Sequence, residues 1–159
     1  MSQVAARVAG PEDWAAWRDL RLRALRDAPS AFGSTYEHEV GFGEGRWVER
    51  LGAKDGVAVL AWLDGMPVGM GAGFQDLPGF LHVVAMWTDP AYRGLGVGSA
   101  VLAAVQSWAA DRGLRLHLDV NTTDGGARAL YERSGYVGTG EVRPLREGSA
   151  ELVERMVHR

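Results

Sequence analysis

The chain has 159 residues, a formal net charge of −3, 47% hydrophobic residues and no cysteine. This length predicts one domain over residues 1–159, and the lack of cysteine excludes disulfides, cysteine-ligated zinc and a thiol nucleophile. The slightly acidic balance disfavours a general nucleic-acid binder. No apolar stretch suits a signal peptide or a membrane span, so we expect a cytoplasmic protein with neither a nucleic-acid nor a membrane partner.

The N-terminal third of the chain predicts a short strand and two helices. Residues 4–9 suit a strand, and Pro11 suits the start of a helix because its missing N–H would be unpaired there in any case. Large apolar side chains then recur at helical spacing over residues 14–26. Residues 30–45 predict an irregular segment, and residues 44–51 predict a second helix.

The middle of the chain predicts three strands in an antiparallel meander. These strands cover residues 57–63, 67–74 and 80–87, and two tight-turn signals, Asp64-Gly65 and Pro78-Gly79, separate them. The second strand carries glycines at alternate positions, so one of its faces has room for another backbone or for a substrate: Gly69, Gly71 and Gly73.

The last third of the chain alternates between helical and strand patterns. A helix is predicted over residues 96–112, a strand over 114–120 and a short helix over 127–133. Two final strands follow, over residues 136–142 and 151–157. The whole pattern predicts a mixed α/β fold.

The segment from Thr88 to Ser99 leaves a strand and enters a helix, with glycines at positions 94, 96 and 98. A helix start offers N–H groups without partners, and glycines let a polyanion approach them closely. Arg93 adds a permanent positive charge, so the segment predicts a pyrophosphate site. The dinucleotide fingerprint fails because Ser99 replaces its third glycine, and the P-loop fails because there is no lysine. The alternative is a strand-to-helix turn with glycines for tight packing.

The motif Arg93-x-x-Gly96-x-Gly98 resembles the acetyl-CoA motif of the GCN5-related N-acetyltransferase (GNAT) family. Residues 118–136 resemble the fifth strand and following helix of that family, and residues 22–36 are similar to a recurrent opening of its bacterial members. The resemblance implies one GNAT-like α/β domain. Its first four strands would form an antiparallel meander, its fourth and fifth strands would run parallel and splay apart, and it would have about four helices.

The resemblance also implies that acetyl-CoA is the co-substrate, with no metal. The strand backbone at Met86, Trp87 and Thr88 would bind the pantetheine arm. The remaining cofactor-binding residues would be Arg93, Gly94, Leu95, Gly96, Val97, Gly98, Ser99, Asp124 and Tyr131. Asp124 stands where the family commonly has asparagine; it can still cap a helix, while a direct contact with CoA is less expected of it.

The implied function is an acyltransferase reaction, in which the primary amine of a small molecule or peptide attacks acetyl-CoA directly. A non-catalytic acyl-CoA-binding sensor or scaffold is the alternative. Tyr131 occupies the position of the family's general acid, which protonates the departing thiolate. The proton acceptor is left open among His82, Asp119, His117 and water. Homodimers are common in such folds, so a second copy is a candidate partner.

The acceptor amine is not specified by the sequence. A modest acidic stretch could attract a cationic amine such as a polyamine or aminoglycoside, although a solvated loop is the favoured interpretation: Glu37, His38, Glu39 and Glu44.

Overall fold

The computed structural model describes residues 3–159, which form one mixed sheet with helices on both faces. The strands are β1 (Ala5–Val8), β2 (Gly56–Leu63), β3 (Met66–Leu77), β4 (Phe80–Thr88), β5 (Arg115–Asn121), β6 (Tyr136–Pro144) and β7 (Leu152–His158). The helices are α1 (Trp14–Asp27), α2 (Tyr36–Glu39), α3 (Glu44–Leu51), α4 (Val97–Asp111) and α5 (Gly125–Arg133). No helix in this part of the chain is long and apolar enough to cross a membrane.

Within residues 3–159 the sheet order is β1-β2-β3-β4-β5-β7-β6, and only β4 and β5 pair in parallel. The antiparallel meander of the first four strands and the single α/β fold are therefore as predicted. One helix was missed, because α2 lies inside the segment predicted to be irregular. The Thr35 hydroxyl caps that short helix by accepting a hydrogen bond from the His38 N–H at 3.2 Å.

Two apolar clusters hold the helices against the sheet. Helix α4 packs its Val97–Val101–Val105 stripe on one face, and α1 and α3 pack on the other face around Trp47. The glycine face of β3 belongs to the α4 side, since a Cβ atom at Gly71 would lie 2.6 Å from a Val101 methyl group. The expectation that another backbone or a substrate lies over this face was therefore wrong at Gly69 and Gly71, where Val97 and Val101 of α4 fill the space. Gly73 lines a cavity.

Strands β4 and β5 separate in the middle of the sheet. Their ladder covers only residues 80–83 of β4 and 115–118 of β5, although both strands continue further. Just beyond the ladder, β4 contains one extra residue relative to β3, and Ala85 adopts a left-handed conformation with φ of 58°. A bulge of this kind bends the strand. It therefore lies where β4 turns away from β5.

Candidate active site

A cavity of about 600 Å³ occupies the fork between β4 and β5. One part of its wall comes from β4 and α5, including Met86 and Tyr131. Another part comes from α1, α3 and the chain around Phe32, including Arg21 and Arg50. The cavity is large enough for a small-molecule ligand, and its walls combine segments that are far apart in the sequence.

The loop that follows β4 presents backbone N–H groups at the start of α4. Gly94 and Gly96 have φ of 81° and 84°, a conformation that residues with side chains rarely adopt. Among residues 3–159, no side chain caps the first turn of α4, and Leu95 and Ser99 are exposed. The first amides of α4 are thus open to an anion, which favours the helix N-terminus for electrostatic reasons as well.

Arg93 is tied to the base of this loop. Its Nε donates to the Thr88 carbonyl at 3.2 Å, and its Nη2 donates to the Asp27 carboxylate at 3.2 Å. Asp27 also accepts from the Trp87 indole at 3.0 Å. The guanidinium therefore fixes the junction between β4 and the loop, a role that the sequence analysis did not assign to it.

The β4 segment beyond the bulge has the character expected of a strand that receives an extended ligand. Met86 lines the cavity, whereas the Trp87 side chain is buried in the cluster around α1. The ladder to β5 has ended before these residues, so their backbone edge faces the fork. The Thr88 carbonyl is an exception, because Arg93 already donates to it.

Helix α5 places Tyr131 on the cavity wall. The Asp124 carboxylate caps this helix by accepting from the Ala127 N–H at 2.9 Å, which confirms its predicted capping role. Tyr131 is only 8% exposed, and burial raises the pKa of its phenol well above the ordinary value, with smaller contributions from Tyr136 and Asp124. The phenol is therefore protonated at physiological pH and can act only as a proton donor.

Comparisons with known proteins agree with this geometry. The acetyltransferase (GNAT) family matches residues 14–136 of the chain. The chain belongs to the GNAT family. It is accordingly an acetyl-CoA-dependent N-acetyltransferase, as the sequence analysis predicted.

Individual relatives support the family assignment. The aminoglycoside N(6')-acetyltransferase type 1 of Stenotrophomonas maltophilia is 32% identical over 148 residues, which cover 86% of this chain and 88% of that protein. A GNAT acetyltransferase from Streptococcus pneumoniae has a TM-score of 0.79 at 21% identity, over 98% of each chain. A Bacillus anthracis structure assigned as a streptothricin acetyltransferase, in complex with acetyl coenzyme A, has a TM-score of 0.61 at 21% identity. That match covers 67% of this chain and 64% of that one.

The sequence left three side chains open as the proton acceptor of this acetyltransferase, and their hydrogen bonds in the structure distinguish among them. Asp119 accepts from Arg155 Nε at 2.7 Å and also pairs with Arg143. Burial opposes ionisation of Asp119, but the hydrogen bonds from Arg155 and Arg143 prevail and hold its pKa below the ordinary value. A carboxylate bound by two guanidinium groups is a weak base.

His117 is also committed to other groups. It is 3% exposed, and its Nδ1 lies 3.0 Å from a guanidinium nitrogen of Arg155. Because arginine only donates, Nδ1 is the acceptor and the proton resides on Nε2, which donates to Asp76 at 2.9 Å. His117 therefore cannot accept another proton without breaking a hydrogen bond.

His82 is the candidate whose ring nitrogens have no hydrogen-bonded partner within the described part of the chain. It lines the cavity, and its Nδ1 and Nε2 lie 3.8 Å and 3.9 Å from Asp76 and Asp119, too far for hydrogen bonds. Burial lowers the pKa of His82 below its ordinary 6.5, although Asp119 and Asp76 oppose the shift. His82 is therefore neutral at physiological pH and able to take up a proton.

The same cluster also brings together three groups of the kinds that ligate metals. Atoms of Asp76, His82 and His117 lie within 4.8 Å of one another. However, the nitrogen that His117 turns towards Asp76 carries its proton, since the other nitrogen accepts from Arg155. A metal ligand needs that nitrogen deprotonated, so these residues do not fit a resident metal.

The acidic stretch of the sequence contains a buried ion-pair cluster. Glu39 is 0% exposed and accepts from Arg21 Nε and Nη2 at 3.0 Å and 2.9 Å. Arg50 donates to the same carboxylate at 3.2 Å. Burial opposes ionisation, but the Arg21 hydrogen bonds lead the interactions that bring the pKa of Glu39 below its ordinary value. The interpretation of this stretch as a solvated loop was therefore wrong at Glu39.

Proposed function

We propose that this acetyltransferase binds acetyl-CoA along the open edge of β4, with the pyrophosphate on the amides of residues 94–99. The observation that carries the proposal is the continuity of three features. The unpaired β4 edge leads into a loop with left-handed Gly94 and Gly96, and Tyr131 lines the cavity beside that edge. An extended cofactor with a polyanionic middle and a reactive thioester end matches this order.

The acceptor amine approaches from the opposite side of the fork and transfers a proton to His82. The amine nitrogen attacks the thioester carbonyl, a C–N bond forms, and the nitrogen must lose a proton during the transfer. His82 takes this proton, and the resulting imidazolium is stabilised by Asp119 and Asp76, which lie within 4 Å of its two nitrogens. Arg155 holds Asp119 in place through a 2.7 Å hydrogen bond.

Tyr131 is the proposed proton donor on the cofactor side. When the C–S bond breaks, the thiolate of CoA takes the phenolic proton, and the phenolate is reprotonated from solvent. Burial raises the pKa of Tyr131 and so keeps the phenol protonated until it donates. The pKa difference between a phenol and a thiol opposes this transfer, so it proceeds together with C–S cleavage and not before it.

An acceptor screen with a matched pair of variants tests this proposal. We expect CoA thiol release from acetyl-CoA in the presence of an amine, with kcat about 10²-fold lower in Tyr131→Phe. Tyr136→Phe is the control, because the Tyr136 side chain is buried and does not line the cavity. Equal loss in both variants, or full turnover in Tyr131→Phe, would remove the phenol from the mechanism.

A non-catalytic acyl-CoA-binding role receives no support from the comparisons. The cytoplasmic location, the homodimer and the lack of nucleic-acid or membrane partners remain predictions from the sequence. One relative is an aminoglycoside acetyltransferase, which makes an aminoglycoside one candidate acceptor for this chain.

A further inference from the structure

The acceptor side of the cavity carries more positive than negative charge. Glu39 is shared by two guanidinium groups, those of Arg21 and Arg50, and both arginines line the cavity. Asp119 is likewise shared by two arginines, one of which lines the cavity. Glu39 therefore has one more cation than its own charge can neutralise, whereas Arg155 beside Asp119 also interacts with Asp76 and Glu141.

The other carboxylates nearby do not belong to this part of the wall. Asp124 lies on the α5 side of the cavity, and Asp76 does not line the cavity. A polyamine or aminoglycoside presents several ammonium groups and needs carboxylates that are not already compensated. The wall beside Arg21 and Arg50 offers it none.

The Arg21–Glu39–Arg50 cluster also contains guanidinium N–H groups that are not used within the cluster. Arg21 uses Nε and Nη2 on Glu39, and Arg50 uses only Nη1. Within residues 3–159, Nη1 of Arg21 and both Nε and Nη2 of Arg50 have no hydrogen-bond acceptor. These nitrogens are available to donate to an anionic group in the cavity.

Aromatic rings fix the direction of these guanidinium groups. The Arg21 guanidinium lies 5.0 Å from the centre of the Phe32 ring, and the Arg50 guanidinium lies 4.8 Å from Phe42 and 5.5 Å from Trp47. Stacking and the shared buried carboxylate hold both side chains before any ligand arrives. A held pair of guanidinium forks is suited to an anionic group, above all a carboxylate.

We propose that the acceptor is an amine that also carries an anionic group, of the carboxylate class, and that Arg21 and Arg50 bind this group while the amine lies at His82. This inference rests on the proposed function, because it assigns the two ends of one acceptor to two places in the same cavity. Glu39 is a positioning residue that keeps the two arginines together.

Acid and amide versions of the same amine provide the test. The pairs are γ-aminobutyrate and its amide, and ε-aminocaproate and its amide, with kcat/KM measured by CoA thiol release. We expect the acids to exceed the amides by about 10-fold or more, the effect of a charge-assisted hydrogen bond. In Arg50→Gln this preference should fall towards unity, and Arg50→Lys should restore part of it.

Arg46→Gln is the matched control, because Arg46 lies one turn earlier on α3, is exposed and does not line the cavity. It should keep the acid preference. Equal kcat/KM for acids and amides, an unchanged preference in Arg50→Gln, or an aminoglycoside used better than every acid would overturn the proposal. Loss of turnover with acids and amides alike in Tyr131→Phe concerns the proposed function instead.

Binding decides the case in which none of these amines is acetylated. Calorimetry with the CoA-loaded protein should then show the acids binding, and Arg50→Gln should weaken them about 10-fold. No binding of either acid at millimolar concentration would overturn the proposal.

Discussion

The cofactor loop, residues 88–99, and the acceptor wall, formed by Arg21, Glu39, Arg50 and His82, are built on opposite principles. The loop is continuous in sequence, and the groups proposed to bind the cofactor are backbone amides near two left-handed glycines. The wall gathers side chains from α1, α2, α3 and β4, and it depends on charges paired across the fold. A family can therefore keep one cofactor site while its acceptor site changes through a few distant substitutions.

The largest expected effect is a loss of kcat that distinguishes the acceptor wall from the cofactor loop. His82→Gln should lower kcat by about 10²- to 10⁴-fold and leave KM for acetyl-CoA unchanged, because it removes the proton acceptor and does not touch the loop. Steady-state kinetics with both substrates varied provides the measurement. A rise in KM for acetyl-CoA of similar size would show that the two regions are not independent.

The pH profile gives the same residue a signature that a structural role would not have. His82 accepts a proton only when neutral, and its pKa is lowered below 6.5, so kcat/KM should fall on the acid side, below pH 6.5. The loss follows falling pH because protonation occupies the base. This acid limb should be absent from the residual activity of His82→Gln, and its persistence there would assign the limb to another group.

Glu39→Gln should destabilise the wall without altering the loop. The substitution leaves Arg21, 12% exposed, without its buried counter-charge, and the free energy of unfolding should fall by about 3 kcal/mol. Urea denaturation measures this change. Glu37→Gln, an exposed neighbour on the same short helix, is the control and should be nearly neutral. Similar losses in both variants would contradict the buried pairing.

The same pair makes stability depend on acid pH in a defined direction. The folded-state pKa of Glu39 lies below its ordinary 4.5, so its stabilising contribution is present above pH 4.5. It is lost as the pH falls from there through the lower folded-state pKa. The Glu39→Gln variant should lack this part of the acid dependence.

Ala85 tests whether the fork depends on the bulge. A branched side chain at φ of 58° is strained, so Ala85→Val should cost roughly 1–3 kcal/mol of stability and raise KM for acetyl-CoA. Ala85→Gly should tolerate the same conformation and keep KM. If the valine variant folds with unchanged stability and KM, the bulge is not needed to hold the fork open.

The smallest expected effect concerns the helix behind Tyr131. Asp124→Ala removes the acceptor for the Ala127 N–H and should cost about 1 kcal/mol, whereas Asp124→Asn should retain the cap. Thermal unfolding compares the two variants. Equal stability of Asp124→Ala and the parent protein would contradict the cap.

Local signals account for what could be predicted from the sequence. The helix and strand periods, the turns and the Arg93–Gly98 loop each lie in a few consecutive residues. They led to the correct fold and, through the family resemblance that the loop carries, to the correct reaction. The left-handed Ala85 had no such signal, because its conformation is imposed by the register between β3 and β4. Glu39 looked like one of several solvated acids, since only the folded chain brings Arg21 and Arg50 to it.

A crystal structure of the protein with CoA tests the central claim most directly, namely that one fork holds a cofactor site made of backbone and an acceptor site made of side chains. The pyrophosphate should accept hydrogen bonds of about 3 Å from the amides of residues 94–99, with the CoA sulfur beside the Tyr131 hydroxyl. His82, Arg21 and Arg50 should line the space beyond the sulfur. A pyrophosphate bound away from this loop, or a pantetheine arm lying against Arg21 and Arg50, would contradict the account.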